Sequence, residues 1–147
     1  MRIKEVLTNK KDYLDLLLIA DEQEDMIDRY LSKGRMFILL DDEVKAVSVV
    51  VELNESECEL KNIAIYPNEQ GKGYGQAMVA FLINEFLGKY KTMYIGTGDV
   101  PWILRFYEKC GFSESHRVKN FFIDNYDAPM IENGIQLRDM VYLRINA

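Results

Sequence analysis

Histidine and cysteine are scarce in this chain, and each scarcity narrows what it can do. There is one histidine, His116, and two cysteines, Cys58 and Cys110, with no CxxC pair. That set does not supply the usual four ligands of a zinc site, so no metal is expected. It offers no disulfide framework, and two lone thiols point to a reducing compartment, so a cytoplasmic location is expected. Cys110 and His116 do not read as a nucleophile and its base, because neither sits beside a carboxylate that would complete a triad. No segment reaches the ~18 consecutive apolar residues of a membrane span, and no membrane partner is expected. The opening Met1-Arg2-Ile3-Lys4-Glu5 carries an acid at once and lacks an apolar h-region, which argues against a signal peptide. With no repeat, low-complexity tract or Pro/Gly/Ser linker, residues 1-147 read as one domain. A chain of this size buries roughly 70% of its unfolded surface and needs neither disulfide nor metal to fold.

Basic residues are in the minority. Eighteen Lys and Arg against 24 Asp and Glu leave a net charge of −6, which argues against nucleic acid as the main partner. The charges are grouped. Asp21, Glu22, Glu24, Asp25 and Asp28 form one acidic cluster, and Asp124, Asp127 and Glu132 another. Lys72, Lys89, Lys91, Arg105 and Lys109 fall elsewhere. Each residue taken alone is an ordinary solvated charge. Together they allow a basic region for an anionic cofactor and an acidic one for a cationic acceptor.

The hydrophobic pattern predicts the order β-αα-β-β-β-α-β-α-β-β. Met1–Leu7 reads as a strand, and Lys11–Ala20 and Asp21–Leu31 as helices. Met36–Leu40 and Val44–Leu53 form a hairpin through Asp41-Asp42-Glu43, and Glu57–Tyr66 is the next strand. Lys72–Lys89 is a long helix with Tyr74, Ala77, Met78, Phe81, Leu82 and Phe86 on one face. Thr92–Gly96 is a short strand, and Pro101 opens a helix that stops at Gly111. Phe112–Ile123 and Ile135–Ile145 are expected as a last strand pair joined by the loop Asp124–Gly134. Hairpins before the glycines and a β-α-β crossover after them predict an α/β fold, an α+β mixed sheet that is mostly antiparallel, with helices on both faces.

The strongest local signal is the strand Ile63-Ala64-Ile65, the turn Gln70-Gly71-Lys72-Gly73-Tyr74-Gly75, and then the long helix. A helix start leaves N–H groups unpaired and carries about half a positive charge. Glycines let a diphosphate approach those groups without a Cβ in the way. A Walker A loop is excluded, because Gly71-Lys72 is followed by Gly73 rather than Ser or Thr. The dinucleotide fingerprint also fails, since its third glycine would fall on Gln76. A turn that merely starts the helix is the simpler alternative.

The turn fits the [QR]-x-x-G-x-[GA] cofactor motif at every fixed position, and Phe106-Tyr107-Glu108-Lys109-Cys110-Gly111-Phe112 fits a Tyr-x-x-x-Gly-Phe phrase. With both motifs in this order, the chain resembles the GNAT superfamily of N-acetyltransferases over nearly its whole length, in a bacterial-type branch. The resemblance implies acetyl-CoA as co-substrate, with the backbone of Ile63, Ala64 and Ile65 pairing with the pantetheine arm and the N–H groups of Gly71 to Gly75 on the pyrophosphate. Gln70, Lys72, Tyr74, Gln76 and Lys109 join that candidate set. It also implies that Tyr107 protonates the leaving thiolate. In a histone-acetylating branch the general base lies where Glu59 stands here, though Glu59 also reads as a plain strand carboxylate beside Glu52, Glu55 and Glu57. The family's asparagine after the fifth strand is missing, and Thr97 and Asp99 are its nearest polar substitutes.

The implied activity is acetyl transfer from acetyl-CoA to a primary amine by direct attack. The acceptor, a small-molecule amine or a peptide amine, is expected between the early helices, the central strands and the Asp124–Gly134 loop. The rival readings are a non-catalytic acyl-CoA-binding regulatory domain and a module holding ATP or NAD. A homodimer, the commonest closed assembly in general, is the candidate oligomeric state.

Overall fold

The structure is a computed structural model that describes Met1–Ala147. Its chain order is β1 (Arg2–Val6), α1 (Leu14–Ala20), α2 (Glu24–Asp28), β2 (Arg35–Asp41), β3 (Glu43–Glu52), β4 (Glu57–Ile65), α3 (Tyr74–Phe86), β5 (Thr92–Gly98), α4 (Pro101–Lys109), β6 (Ser113–Val118), α5 (Phe121–Asn125), β7 (Ile131–Glu132), β8 (Ile135–Gln136) and β9 (Met140–Asn146). Seven strands form one sheet in the order β1-β2-β3-β4-β5-β9-β6. Every pairing is antiparallel except β4 with β5. That one parallel pair is where α3 crosses over, as a parallel connection requires.

The sheet is buried on both faces of its centre because β2 over Met36–Leu40 and β3 over Ala46–Val51 are apolar at every position but Ser48. Met36, Ile38, Val47, Val49 and Val51 pack with Leu16, Leu17 and Ile27 of α1 and α2. Phe37, Leu39, Ala46 and Val50 pack on the opposite side with Met78, Val79, Leu82 and Phe86 of α3 and with Tyr107 of α4. The expected mixed, mostly antiparallel sheet flanked by helices is the fold observed. No helix is long and apolar enough to cross a membrane.

Two expectations fail near the chain's end. The strand expected over Phe112–Ile123 stops at Val118. Asn120 then takes φ 58°, and Phe121–Asn125 coil into α5. Phe122 and Tyr126 stack there with centroids 5.6 Å apart, a contact that favours a helical turn over a strand. The strand expected over Ile135–Ile145 is likewise broken. Ile135–Gln136 turn back on Ile131–Glu132 through Asn133 and Gly134, both at positive φ, and β9 starts only at Met140. Asn-Gly between two apolar positions is the sequence signature of such a hairpin. The helix expected over Asp21–Leu31 is also shorter, since Asp21 and Gln23 have extended backbones and only Glu24–Asp28 is α-helical.

Candidate active site

β4 and β5 pair only from Glu57–Thr92 to Leu60–Ile95. Beyond that point β4 follows β3 as far as Ile65, and β5 follows β9 as far as Gly98. The divergence starts at a bulge. Val49 faces Asn62 and Val50 faces Leu60, so Lys61 is an extra residue on β4. Bulges bend a strand and re-aim its side chains, and they recur beside active sites.

The parted strands open a cleft of about 760 Å³. Its walls are Ile63, Ala64 and Ile65 of β4, Gly96 and Thr97 of β5, and Trp102, Ile103, Phe106 and Tyr107 of α4. At one end lie Gln70, Gly71, Gly73, Tyr74, Gly75 and Gln76, with Lys109 nearby in the lining. At the other lie Ile19 and Ala20 of α1, with Lys61, Asn62, Glu132 and Asn133.

The glycines of the turn have different tasks. Gly71 and Gly73 take φ 79° and 88°, and a Cβ on either would meet nothing within 4 Å. They therefore serve a left-handed turn with open space over it. Gly75 serves packing, since a Cβ there would lie 3.3 Å from Phe106 Cζ and 3.2 Å from Ile65 Cδ1. Gly73 caps α3 without any side-chain hydrogen bond to the helix start, so the first N–H groups face the cleft end with no internal partner. Gln70 Nε2 donates to Ile65 O at 3.2 Å, and the Tyr74 hydroxyl donates to Asp41 at 2.7 Å, so the turn is braced from both sides.

Tyr107 is buried in the α3-side core, against Phe106 and Phe112 at 5.1 and 5.9 Å, and it also lines the cleft. Burial pushes its phenol pKa up, so it stays protonated well above neutral pH. Glu59 is 8% exposed and does not line the cleft. Its nearest charge is Lys61 Nζ at 3.4 Å, and Lys61 does line the cleft. Burial raises the Glu59 carboxyl against the opposing pull of Lys61 and His116.

Three other candidates sit apart. Asp99 is outside the cleft lining and pairs with Arg117 at 2.7 Å. Lys72 is exposed and pairs with Glu69 at 2.9 Å beside the turn. Lys89, from the expected basic region, lies past the far end of α3, near Glu52. The thiol of Cys110 is raised by burial, and His116 contacts Ser115, Tyr94 and Tyr142 instead of it. No three His, Cys, Asp or Glu side chains converge as a metal-ligating group.

A second cavity, of about 150 Å³, adjoins the cleft and shares with it Ile19, Ala20, Lys61, Thr97, Ile103 and Glu132. Asp21 and Glu22 line it, along with Phe122, Tyr126 and Leu137 from the segment between β6 and β9. The acidic cluster therefore divides, because Glu24 and Asp28 are instead held by Lys11 at 2.7 and 2.8 Å.

The acetyltransferase (GNAT) domain family matches residues 32–114, more than half of the chain. The chain belongs to the GNAT family of N-acetyltransferases. It is 38% identical over 143 residues to the uncharacterised N-acetyltransferase YvbK of Bacillus subtilis, covering 95% of this chain and 91% of that protein. A GNAT acetyltransferase of Elizabethkingia anophelis, solved with acetyl-CoA bound, superposes with a TM-score of 0.94 at 34% identity, over 99% of this chain and 97% of the other. A Bacillus subtilis acetyltransferase solved in complex with CoA gives 0.89 at 36% identity, over 99% and 98%.

Sequence reading of this GNAT chain missed Lys61 and Asn62 as cleft residues. The signal was the adjacent polar pair Lys61-Asn62, which breaks the alternation of Glu57, Cys58, Glu59 and Leu60 as a bulge does. Two outcomes test the local physics. Gly73→Ala should cost about 1–2 kcal/mol from the left-handed backbone alone, measured by urea unfolding. Glu59 carries a carboxyl pKa raised in the folded state, so its contribution to stability is present at low pH and lost as pH rises through that value. Glu59→Gln should therefore gain thermal stability over the parent at pH 8 and show no gain at pH 4.

Proposed function

We propose that the protein transfers an acetyl group from acetyl-CoA to a primary amine by direct attack, in the cytoplasm, where its thiols stay reduced. The observation that carries this reading is one continuous cleft. It runs from unpaired amides at the start of α3, past the Tyr107 phenol, to the shared wall of a second cavity. Its volume lies within the usual range for a bound ligand, roughly 300–1,000 Å³. The open, left-handed glycines at its mouth fit a diphosphate. The solved relatives carrying acetyl-CoA and CoA support the same co-substrate.

In this reading the N–H groups from Gly71 to Gly75 hold the pyrophosphate, with Gln70, Tyr74 and Gln76 around the turn and Lys109 in the same lining. The exposed edge of Ile63, Ala64 and Ile65, left without a β5 partner, takes the pantetheine arm as an added strand. Thr97, in the opposite wall, is the polar contact assigned to that arm. Asp99 is not assigned a contact, because it lies outside the cleft lining and is paired with Arg117.

The amine nitrogen attacks the thioester carbonyl, the C–N bond forms, and the C–S bond breaks. The thiolate takes its proton from Tyr107, which burial keeps in the donor form. The amine must lose a proton at or before attack. Glu59, one side chain behind the cleft wall, receives it through water beside Lys61. Holding amine and thioester together supplies much of the rate, an effect reaching about 7–11 kcal/mol in favourable cases.

The test is thiol release from acetyl-CoA with an amine panel. Tyr107→Phe should lower kcat by about 10²-fold, a typical general-acid effect, while calorimetry finds acetyl-CoA affinity unchanged. Glu59→Gln should lose most activity just below neutral pH, where amines stay protonated while the parent's Glu59, despite its raised pKa, is still ionised. Binding with no turnover in the parent protein would leave a regulatory domain. An unaltered pH–rate profile in Glu59→Gln would hand the proton to solvent.

A further inference from the structure

The segment between β6 and β9, residues 119–139, contributes Phe122, Tyr126, Met130, Ile131 and Leu137 to the second cavity. It is closed on itself by backbone bonds, Phe122 N to Arg138 O at 2.9 Å and Leu137 N to Met130 O at 2.8 Å. Those bonds make it a single strap across the cavity. Two hydrogen bonds fasten it to the junction of α1 and α2. The Tyr126 hydroxyl donates to Asp21 Oδ1 at 2.7 Å, and the Asp127 N–H donates to Gln23 Oε1 at 3.1 Å.

The Asp21 end of that clasp is itself anchored. Asp21 Oδ2 accepts from the Tyr30 hydroxyl at 3.2 Å, and Tyr30 accepts from Asn62 Nδ2 at 3.0 Å. Asn62 also donates to Leu17 O at 3.1 Å, which fixes which end of its amide is nitrogen. The relay runs from the β4 bulge, in the wall of the cleft, to the strap. Asn62 is 3% exposed, and its Oδ1 is the one buried side-chain polar atom without a partner. A buried acceptor left open beside a ligand cleft marks a place where a donor belongs.

With the strap clasped, the cavity offers about 150 Å³, its apolar residues outnumbering the others and Asp21, Glu22, Lys61 and Glu132 supplying the charge that an ammonium or amine end would meet. A cavity of that size takes a body about as large as benzene. That volume suits a single small ring or short aliphatic body better than a length of polypeptide.

Resting on the transferase reading, we propose that the acceptor is a compact primary amine with an apolar body, seated under the strap, and that the Asp21–Tyr126 clasp is the specificity-determining contact that shapes its cavity. Tyr126 and Asp21 act by holding the wall in place, since both Asp21 oxygens are already taken by phenols.

The experiment uses the full chain, with propylamine, phenethylamine and a lysine-containing peptide as acceptors. The parent protein should turn over one or both compact amines and leave the peptide untouched. Tyr126→Phe should raise the KM for the compact amine about tenfold, the scale of one lost charge-assisted hydrogen bond. The KM for acetyl-CoA should stay within about twofold. Hydrogen exchange at the amides of Phe122 and Asp127 should speed up in the variant, and Asp21→Asn should reproduce both effects. Equal turnover of the peptide by the parent protein would overturn the proposal. So would an unchanged amine KM in Tyr126→Phe, or silence of both compact amines while acetyl-CoA binds. Failure of the transferase reading shows separately, as absence of acetyl-CoA binding in calorimetry.

Discussion

The structure depends on the parting of two parallel strands. β4 and β5 share a ladder for four residue pairs and then separate, each drawn away by its other neighbour. The gap does not close, because both strands are committed elsewhere. β4 is held by β3 over an apolar layer buried on both faces, and β5 is zipped to β9 along its whole length. The Lys61 bulge adds the twist that starts the separation. What remains is an unpaired strand edge beside an apolar wall, a ready docking place for an extended ligand. The crossover that a parallel pair demands delivers the start of α3 to one mouth of the same gap.

Chemistry and packing meet in the same residues around that gap. Tyr107 belongs to the core through Phe106 and Phe112, and it also forms part of the cleft wall. Burial that stabilises the fold by removing an aromatic ring from water also holds its hydroxyl protonated. Gly75 is similar in kind, since the close approach of α3 to Phe106 that it permits brings the glycine turn and α4 together. The site is positioned by regular elements on both sides of the sheet, which keeps its geometry precise.

The charges distribute less simply than their spacing in the chain suggests. The early acidic run divides between ion pairs with Lys11 and a cavity wall, because α2 is one short helix that turns Glu24 and Asp28 outward. Asp21, on the extended link before it, lines the second cavity and accepts from two phenols. Exposed pairs such as Lys11 with Glu24 contribute little to stability, whereas the buried relay through Tyr30 and Asn62 constrains how α1, α2 and the strap sit.

The sequence by itself determined the element types through the glycine turn, the helix that follows it, the site motifs and the family. These are local properties, carried by periodicity, by glycine's access to positive φ and by residue spacing. Tertiary structure alone decided which of the named residues face one space. Glu59 and Asp99 carry suitable chemistry but are turned to Lys61 and Arg117, while Lys61, Asn62 and Tyr126 reach the cavities. Strand register and contacts spanning 105 positions of chain set that outcome and leave no mark within a short window of sequence, and the one-residue bulge leaves only the adjacent pair Lys61-Asn62.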